Sequence, residues 1–171
     1  MDPFSLVYTA LYELVIASPR LTELVKVGNR IRFDSATDRD PLKQNVLDAD
    51  TPELILADQA VTVNLHGTSS GTKIVRQYAF LLATGDMRIN ERLHPVEFAL
   101  CCALSRWKES LTALQWEGRS FVKRLDVTSV AQGQSDPERN RGIKGWSAVW
   151  QCEVEMYLST ADMIAYAAGG S

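Results

Sequence analysis

Residues 145–158 read GWSAVWQCEVEMYL and decide the fold. Every even-numbered position in this stretch is apolar, from Trp146 to Leu158, and the odd-numbered positions are mostly polar. Alternation with a period of two buries one side of a β-strand and leaves the other side in water, which is typical of an antiparallel sheet with one covered face. The stretch therefore predicts a long, half-buried strand.

Hydrophobic spacing and turn residues assign the rest of the chain. Asp2 and Pro3 open a helix, Pro19 ends it or starts the next turn, and Gly28 stops a short second helix. A long central helix begins at Pro95, carries an apolar stripe that includes Phe98 and Cys101, continues to Leu114, and is broken by Gly118. Strands are predicted at 31–33, 53–57, 61–65, 73–83 and 121–130, and polar connections at 34–51, 67–72 and 131–144.

These elements predict an α+β fold of two layers. An antiparallel sheet of about four to five strands carries helices packed on one face. The chain has 171 residues, of which 46% are hydrophobic and 23% charged, so we expect one globular domain spanning residues 1–171.

Charge and hydropathy exclude several classes of protein. The net charge of −3 argues against a nucleic-acid binder, which concentrates Lys and Arg against phosphates. We expect no sequence-specific nucleic-acid partner and no membrane, since no apolar run reaches the ~20 residues of a membrane span. The apolar N-terminus lacks a basic leader region, so we interpret it as a helix of the mature protein.

Candidate chemical groups are few. Cys101, Cys102 and Cys152 are expected to be buried, reduced thiols of a cytosolic protein, and their spacing fits no zinc site. His66 and His94 lie far apart in the sequence. We interpret His66 as a surface histidine and His94 as a histidine at the start of a helix. We therefore predict no catalytic residue, no cofactor and no metal.

Two segments have the residue types of a functional site, but a purely structural interpretation of each is favoured. GTSSGT, residues 67–72, has the composition of a phosphate loop but lacks a Walker lysine and precedes a strand, so a hairpin turn is favoured. Glu153 and Glu155 share the outward face of a strand, where they resemble an acid/base pair. A solvated strand face is the favoured interpretation of this pair.

The order of elements resembles that of the tail terminator proteins of long-tailed bacteriophages. The resembling segments are FSLVYTALYELV, AVTVNLHGTSSGTKIVRQYAFLLATGD, HPVEFALCCALSRW and GWSAVWQCEVEMYL, about half of the chain. Members of that family are small domains with helices against an antiparallel sheet. They form a hexameric ring that caps the tail tube and meets the head connector.

The resemblance implies a structural protein of a phage or prophage virion, located in the tail or neck and in the host cytoplasm during assembly. Its implied partners are further copies of itself, the tail-tube protein and the head connector or neck proteins. Polar residues of the two connections that join strands are the predicted contacts: Thr68, Ser69, Ser70, Glu138, Arg139, Arg141 and Lys144. The alternatives are a small enzyme that uses the Glu153 and Glu155 face or Cys101, and a monomeric binding module.

Overall fold

A computed structural model describes residues 1–25, 32–33, 53–62, 70–84, 89–134 and 145–169. The helices are α1 (Pro3–Ile16), α2 (Pro19–Leu24), α3 (Ile89–Ser105), α4 (Trp107–Leu111) and α5 (Thr160–Ala167). The strands are β1 (Arg32–Phe33), β2 (Glu53–Thr62), β3 (Gly71–Thr84), β4 (Gln115–Trp116), β5 (Arg119–Ser120), β6 (Val122–Gln134) and β7 (Trp146–Ser159).

The main sheet has five strands in the order β1-β2-β3-β7-β6. The pairs β2 with β3, β3 with β7 and β7 with β6 are antiparallel, as predicted. The short edge pair β1 with β2 is parallel, so the sheet is not antiparallel throughout. Strands β4 and β5 form a separate two-stranded hairpin.

One face of the main sheet carries the core. The even-numbered residues of β7 from Cys152 to Leu158 are buried, and their β3 partners Tyr78 and Ile74 are buried beside them. Buried residues of α1, α2, α3 and α4 join this cluster from the helix layer. The predicted α+β class, with helices on one face of the sheet, is confirmed. The extension of one domain over residues 1–171 stays a prediction.

Helix α1 begins where the sequence predicts. The Asp2 carboxylate accepts hydrogen bonds from the backbone N–H groups of Phe4 (3.0 Å) and Ser5 (2.9 Å), which caps the helix. The Tyr8 hydroxyl donates to the Leu56 carbonyl oxygen at 2.8 Å and so ties α1 to β2. Capping and packing together hold α1 over the sheet.

Helix α3 differs from its prediction in its first residue and in part of its apolar stripe. It begins at Ile89 and takes Pro95 into its interior. The buried side contains Leu93, Val96 and Leu100, whereas Phe98 is 72% exposed. The predicted apolar stripe was therefore wrong at its start, at Phe98, although Leu104 and Leu111 of the same stripe are buried as predicted.

The chain after α3 also departs from the predicted long helix. The helix ends at Ser105, and a short α4 and the β4–β5 hairpin replace the expected continuation. Glu117 and Gly118 have φ values of 49° and 72°, the left-handed pair that a tight two-residue hairpin requires. Gly118 was correctly predicted as a break, but its role as a hairpin turn was missed.

The structure also differs from the prediction in the end of one strand and in one additional helix. Strand β6 runs to Gln134, so the first part of the predicted 131–144 connection belongs to the sheet. Helix α5 follows β7 directly. The predictions for residues 26–30, 34–51 and 63–69 lie outside the described residues.

The phase of β7 predicts opposite outcomes for two nearby substitutions. Val154→Asp places a carboxylate in a fully buried position and should lower the free energy of unfolding by about 4 kcal/mol or more. Gln151→Asp, on the exposed opposite face, should cost less than about 1 kcal/mol. Urea denaturation followed by circular dichroism measures both, and equal losses would contradict the assigned phase.

Candidate functional site

The strand ends that adjoin the two predicted contact segments lie at opposite ends of the main sheet. Gly71 pairs with Ser159 at one end of the β3–β7 ladder, and Thr84 pairs with Trp146 at the other. At ~3.3 Å per residue these ends lie roughly 43 Å apart. Gly71 and Thr72, the last two residues of the predicted 67–72 turn, already belong to β3 at the first end, which we call the hairpin end. The connection that follows β6 leaves from the second, which we call the connection end.

At the hairpin end, an aromatic ring covers a glycine. A Cβ atom built on Gly71 would lie 2.6 Å from ring atoms of Tyr157, so the ring occupies the space that a side chain would need. The hydroxyl groups of Ser70 and Tyr157 lie 3.2 Å apart, within hydrogen-bond distance. Tyr157 therefore fixes the residue at which the chain enters β3.

A small cleft opens beside this contact. Its volume is about 140 Å³, and its lining includes Ser70, Tyr157, Arg119 and Asp162. The Arg119 Nε atom lies 3.8 Å from the Asp162 carboxylate, which links the β4–β5 hairpin to α5. The cleft thus combines hydroxyl groups and one ion pair with apolar side chains such as Trp116 and Phe121.

At the connection end, a buried carboxylate joins the two layers. Glu97 of α3 is 7% exposed and accepts hydrogen bonds from the Trp150 indole N–H (3.0 Å) and the Gln132 side-chain amide (2.7 Å). Because Trp150 belongs to β7 and Gln132 to β6, one side chain fixes both strands to the helix. This cluster of Glu97, Gln132 and Trp150 is called the Glu97 clamp below.

Of the seven predicted contact residues, Ser70 alone lies in the part of the chain that the structure describes, and it lies in the cleft of the hairpin end. Thr68, Ser69, Glu138, Arg139, Arg141 and Lys144 fall outside the described residues. Sequence reasoning missed Tyr157 and Glu97. Tyr157 stood on the polar phase of its strand, which was a signal for an outward contact.

The two carboxylates of the alternative enzyme reading lie on the outward face of the sheet. Glu153 accepts a hydrogen bond from the Gln77 side chain at 2.9 Å, and Glu155 forms an ion pair with Lys73 at 2.7 Å. Each is therefore engaged with the neighbouring strand β3. Their shared face agrees with the sequence prediction, and the expectation that the chain is not an enzyme stays a prediction.

The cysteines divide into two classes. Cys152 is fully buried, as predicted, and burial raises the pKa of its thiol from 9.0 to about 12. Cys101 and Cys102 are exposed on α3, so the prediction that they are buried was wrong. They lie on the same misassigned side of α3 as Phe98. All three are free thiols.

A second cavity is a groove in the helix layer. It encloses about 520 Å³ between α1, α3 and α4, with Leu14, Ala103 and Leu114 on its walls and Glu13 and Arg106 among its polar residues. Arg106 forms an ion pair with Glu109 at 2.9 Å. The groove therefore combines apolar walls with a paired charge.

Among the described residues, no group of three or more His, Cys, Asp or Glu side chains could hold a metal ion. Within those same ranges, no helix has both the length and the hydropathy needed to cross a membrane.

Comparisons with known proteins find a distant likeness. A solved structure titled "Virion of native gene transfer agent (GTA) particle" contains a similar chain, with 12% sequence identity and a TM-score of 0.49. The match covers 90% of this chain and 94% of that chain. No protein-family model matches, and no curated protein matches. A likeness this distant carries no function from one chain to the other.

The Glu97 clamp predicts a measurable loss of stability. Glu97→Ala leaves the Trp150 indole N–H without its acceptor and should lower the free energy of unfolding by about 1–3 kcal/mol. Glu97→Gln keeps one acceptor oxygen and should cost less. Urea denaturation measures both variants, and a Glu97→Ala protein as stable as the wild type would contradict the clamp.

Burial predicts different alkylation rates for the three thiols. Because the thiolate is the reactive form and Cys152 stays protonated as the pH rises through 9.0 toward about 12, native Cys152 should resist iodoacetamide. Exposed Cys101 and Cys102 should be labelled in the native protein at pH 8. Mass spectrometry of the labelled peptides measures this, with urea-denatured protein as the control in which all three react.

The same raised pKa gives a pH dependence of stability. The unfolded chain releases the Cys152 proton near pH 9.0 and the native chain does not, so this contribution to stability is complete below pH 9. It is lost as the pH rises from about 9 to 12. In the alkylation experiment above, labelling of native Cys152 at the same rate as Cys101 would contradict the burial on which this raised pKa depends.

Proposed function

We propose that this chain is a structural subunit of a phage or prophage tail, of the terminator or neck kind, which joins the tail tube to the head connector. Its function is to bind neighbouring proteins, and it needs no catalytic group. The observation that supports the proposal is that Gly71 and Gln134, the strand residues next to the two predicted contact segments, lie at opposite ends of one sheet.

A joining protein must present two separate surfaces to two different partners. The unbroken β3–β7 ladder holds the hairpin end and the connection end roughly 43 Å apart. Tyr157 fixes the first end and the Glu97 clamp fixes the second. With the strands along the axis of a ring, one end of each subunit faces the tube and the other faces the connector.

The proposed assembly is a ring of six copies. A ring formed by rotation requires two different surfaces on each subunit, one that binds the preceding copy and one that binds the next. The resemblance to tail terminators supports six as the number. The polar character of the connections supports contacts that form when the partner is present.

Charge reversal in the connection tests the proposal. Purified chain should form six-fold rings on the ends of tail tubes that lack their own terminator, as seen by negative-stain electron microscopy. Arg139→Glu combined with Arg141→Glu should abolish capping, because both residues are predicted contacts. Arg20→Glu combined with Lys108→Glu is the matched control, since both of these positions are exposed on helices.

Wild-type protein that neither forms rings nor binds tubes would overturn the proposed function. If the Arg139 and Arg141 variant caps tubes at the wild-type level, the connection does not contribute to the contact. Circular dichroism melts within a few degrees of wild type would establish that each double variant is folded.

A further inference from the structure

Helix α5 has few packing contacts with the other elements that the structure describes. None of its 8 residues, each of which the structure describes, is buried. Met163 is half-buried against the core, whereas Ile164 and Tyr166 are 64% and 54% exposed. A helix of this length is not stable in water by itself, so it persists only through contacts with its neighbours. The stability of α5 therefore depends on a small number of side chains.

Two side-chain contacts join α5 to the β4–β5 hairpin. The Tyr166 ring meets the Trp116 ring edge-on, with 5.9 Å between the ring centroids. The Asp162 carboxylate faces the Arg119 Nε atom at 3.8 Å, and the Arg119 side chain is 68% exposed. A single aromatic pair is a modest interaction, and water weakens an ion pair with an exposed partner. Together these contacts hold α5 against the hairpin without a buried core between them.

The sheet ends where α5 begins. Gly71 pairs with Ser159 at the end of the β3–β7 ladder, and Thr160 is the first residue of the helix. Ser159 occupies the N-cap position, but its side chain makes no capping hydrogen bond to the described helix. The Thr160 N–H donates to the Ser70 carbonyl oxygen at 3.5 Å, a long hydrogen bond. A rotation of α5 about Ser159 therefore leaves the ladder of the main sheet intact.

Helix α5 covers an aromatic ring at the hairpin end. Trp116 is only 7% exposed, although its hairpin is separate from the main sheet. Tyr166 contacts this ring, and Asp162 lines the same cleft as Trp116 and Phe121. Removal of α5 would expose the edge of the Trp116 ring and widen the cleft. An aromatic ring uncovered beside polar groups is typical of a binding surface.

We infer that α5 is a releasable strap, which rotates about Ser159 away from the β4–β5 hairpin and uncovers Trp116 for a partner at the hairpin end. The inference rests on the proposed function, in which the connection carrying Arg139 and Arg141 caps the tube. The hairpin end then faces the head connector. A connector that contacts Trp116 binds only the open form and so shifts the population toward it.

Fluorine NMR of protein that contains 5-fluorotryptophan tests whether the strap covers Trp116. The Trp116 resonance is assigned by its loss in Trp116→Phe. Tyr166→Ala removes the ring contact, so the Trp116 resonance should move toward that of solvent-exposed fluorotryptophan, and α5 amides should exchange with deuterium at least tenfold faster. Ile164→Ala is the matched control, because it truncates an exposed side chain of the same helix, and it should leave the Trp116 resonance unchanged.

A covalent lock tests whether the strap must open. Arg119→Cys with Asp162→Cys places one thiol on the hairpin and one on the strap, in a chain that also carries Cys101→Ser and Cys102→Ser. Linking the two thiols with a short bismaleimide should leave tube capping unchanged and reduce the joining of capped tubes to heads at least tenfold, counted by electron microscopy. The same protein treated with a monofunctional maleimide is the matched control and should join heads at the unlocked level.

Three outcomes would overturn the inference. These are a Trp116 resonance that does not move in Tyr166→Ala, one that moves equally in Ile164→Ala, and a locked protein that joins heads as well as its monofunctional control. Wild-type protein that does not cap tubes would reject the proposed function, and the fluorine spectra would still decide whether α5 covers Trp116. Capping by the locked protein without joining would support both.

Discussion

The register between β3 and β7 is the constraint on which the rest of the structure depends. Strand β3 pairs over all of its 14 residues with β7, without a bulge. Because successive side chains point to opposite faces, a slip of one residue would move Tyr78 and Cys152 from the core to the outward face. This register also places Glu153 opposite Gln77 and Glu155 diagonally from Lys73 on β3. It brings Trp150 within reach of Glu97.

Sequence patterns predicted the strands better than the helices. In β7 every even-numbered residue from Cys152 to Leu158 is buried as predicted, because a half-buried strand has a single period and one covered face, whereas Trp146 and Trp150 are half-buried. In α3 several apolar faces were compatible with the sequence, and Phe98 competed with Leu93 and Val96 for the core side. Only packing against the sheet selects between these faces. Helix α5 and the β4–β5 hairpin are short, and elements of this length leave too few residues for a period to be recognised.

Little of the candidate site could be predicted from the sequence. Polar connections between strands follow from composition, and Ser70 does lie in a cleft at one end of the sheet. Glu97 has the appearance of an ordinary first-turn carboxylate when the helix is assumed to begin at Pro95, so its burial beneath Trp150 could not be foreseen. Tyr157 matters through its proximity to Gly71, which is a contact between strands and leaves no local trace in the sequence.

The continuous β3–β7 ladder has a mechanical consequence for a protein that joins two partners. Hydrogen bonds of an antiparallel pair lie perpendicular to the strands. A pull along the strand axis, applied at opposite ends of the sheet, therefore loads these bonds in shear and distributes the force over the whole ladder at once. Peeling β6 from the edge would instead break its bonds one after another. The sheet is consequently stiff along its strands and weakest across its edge, an anisotropy that suits the proposed role of carrying tension through a tail.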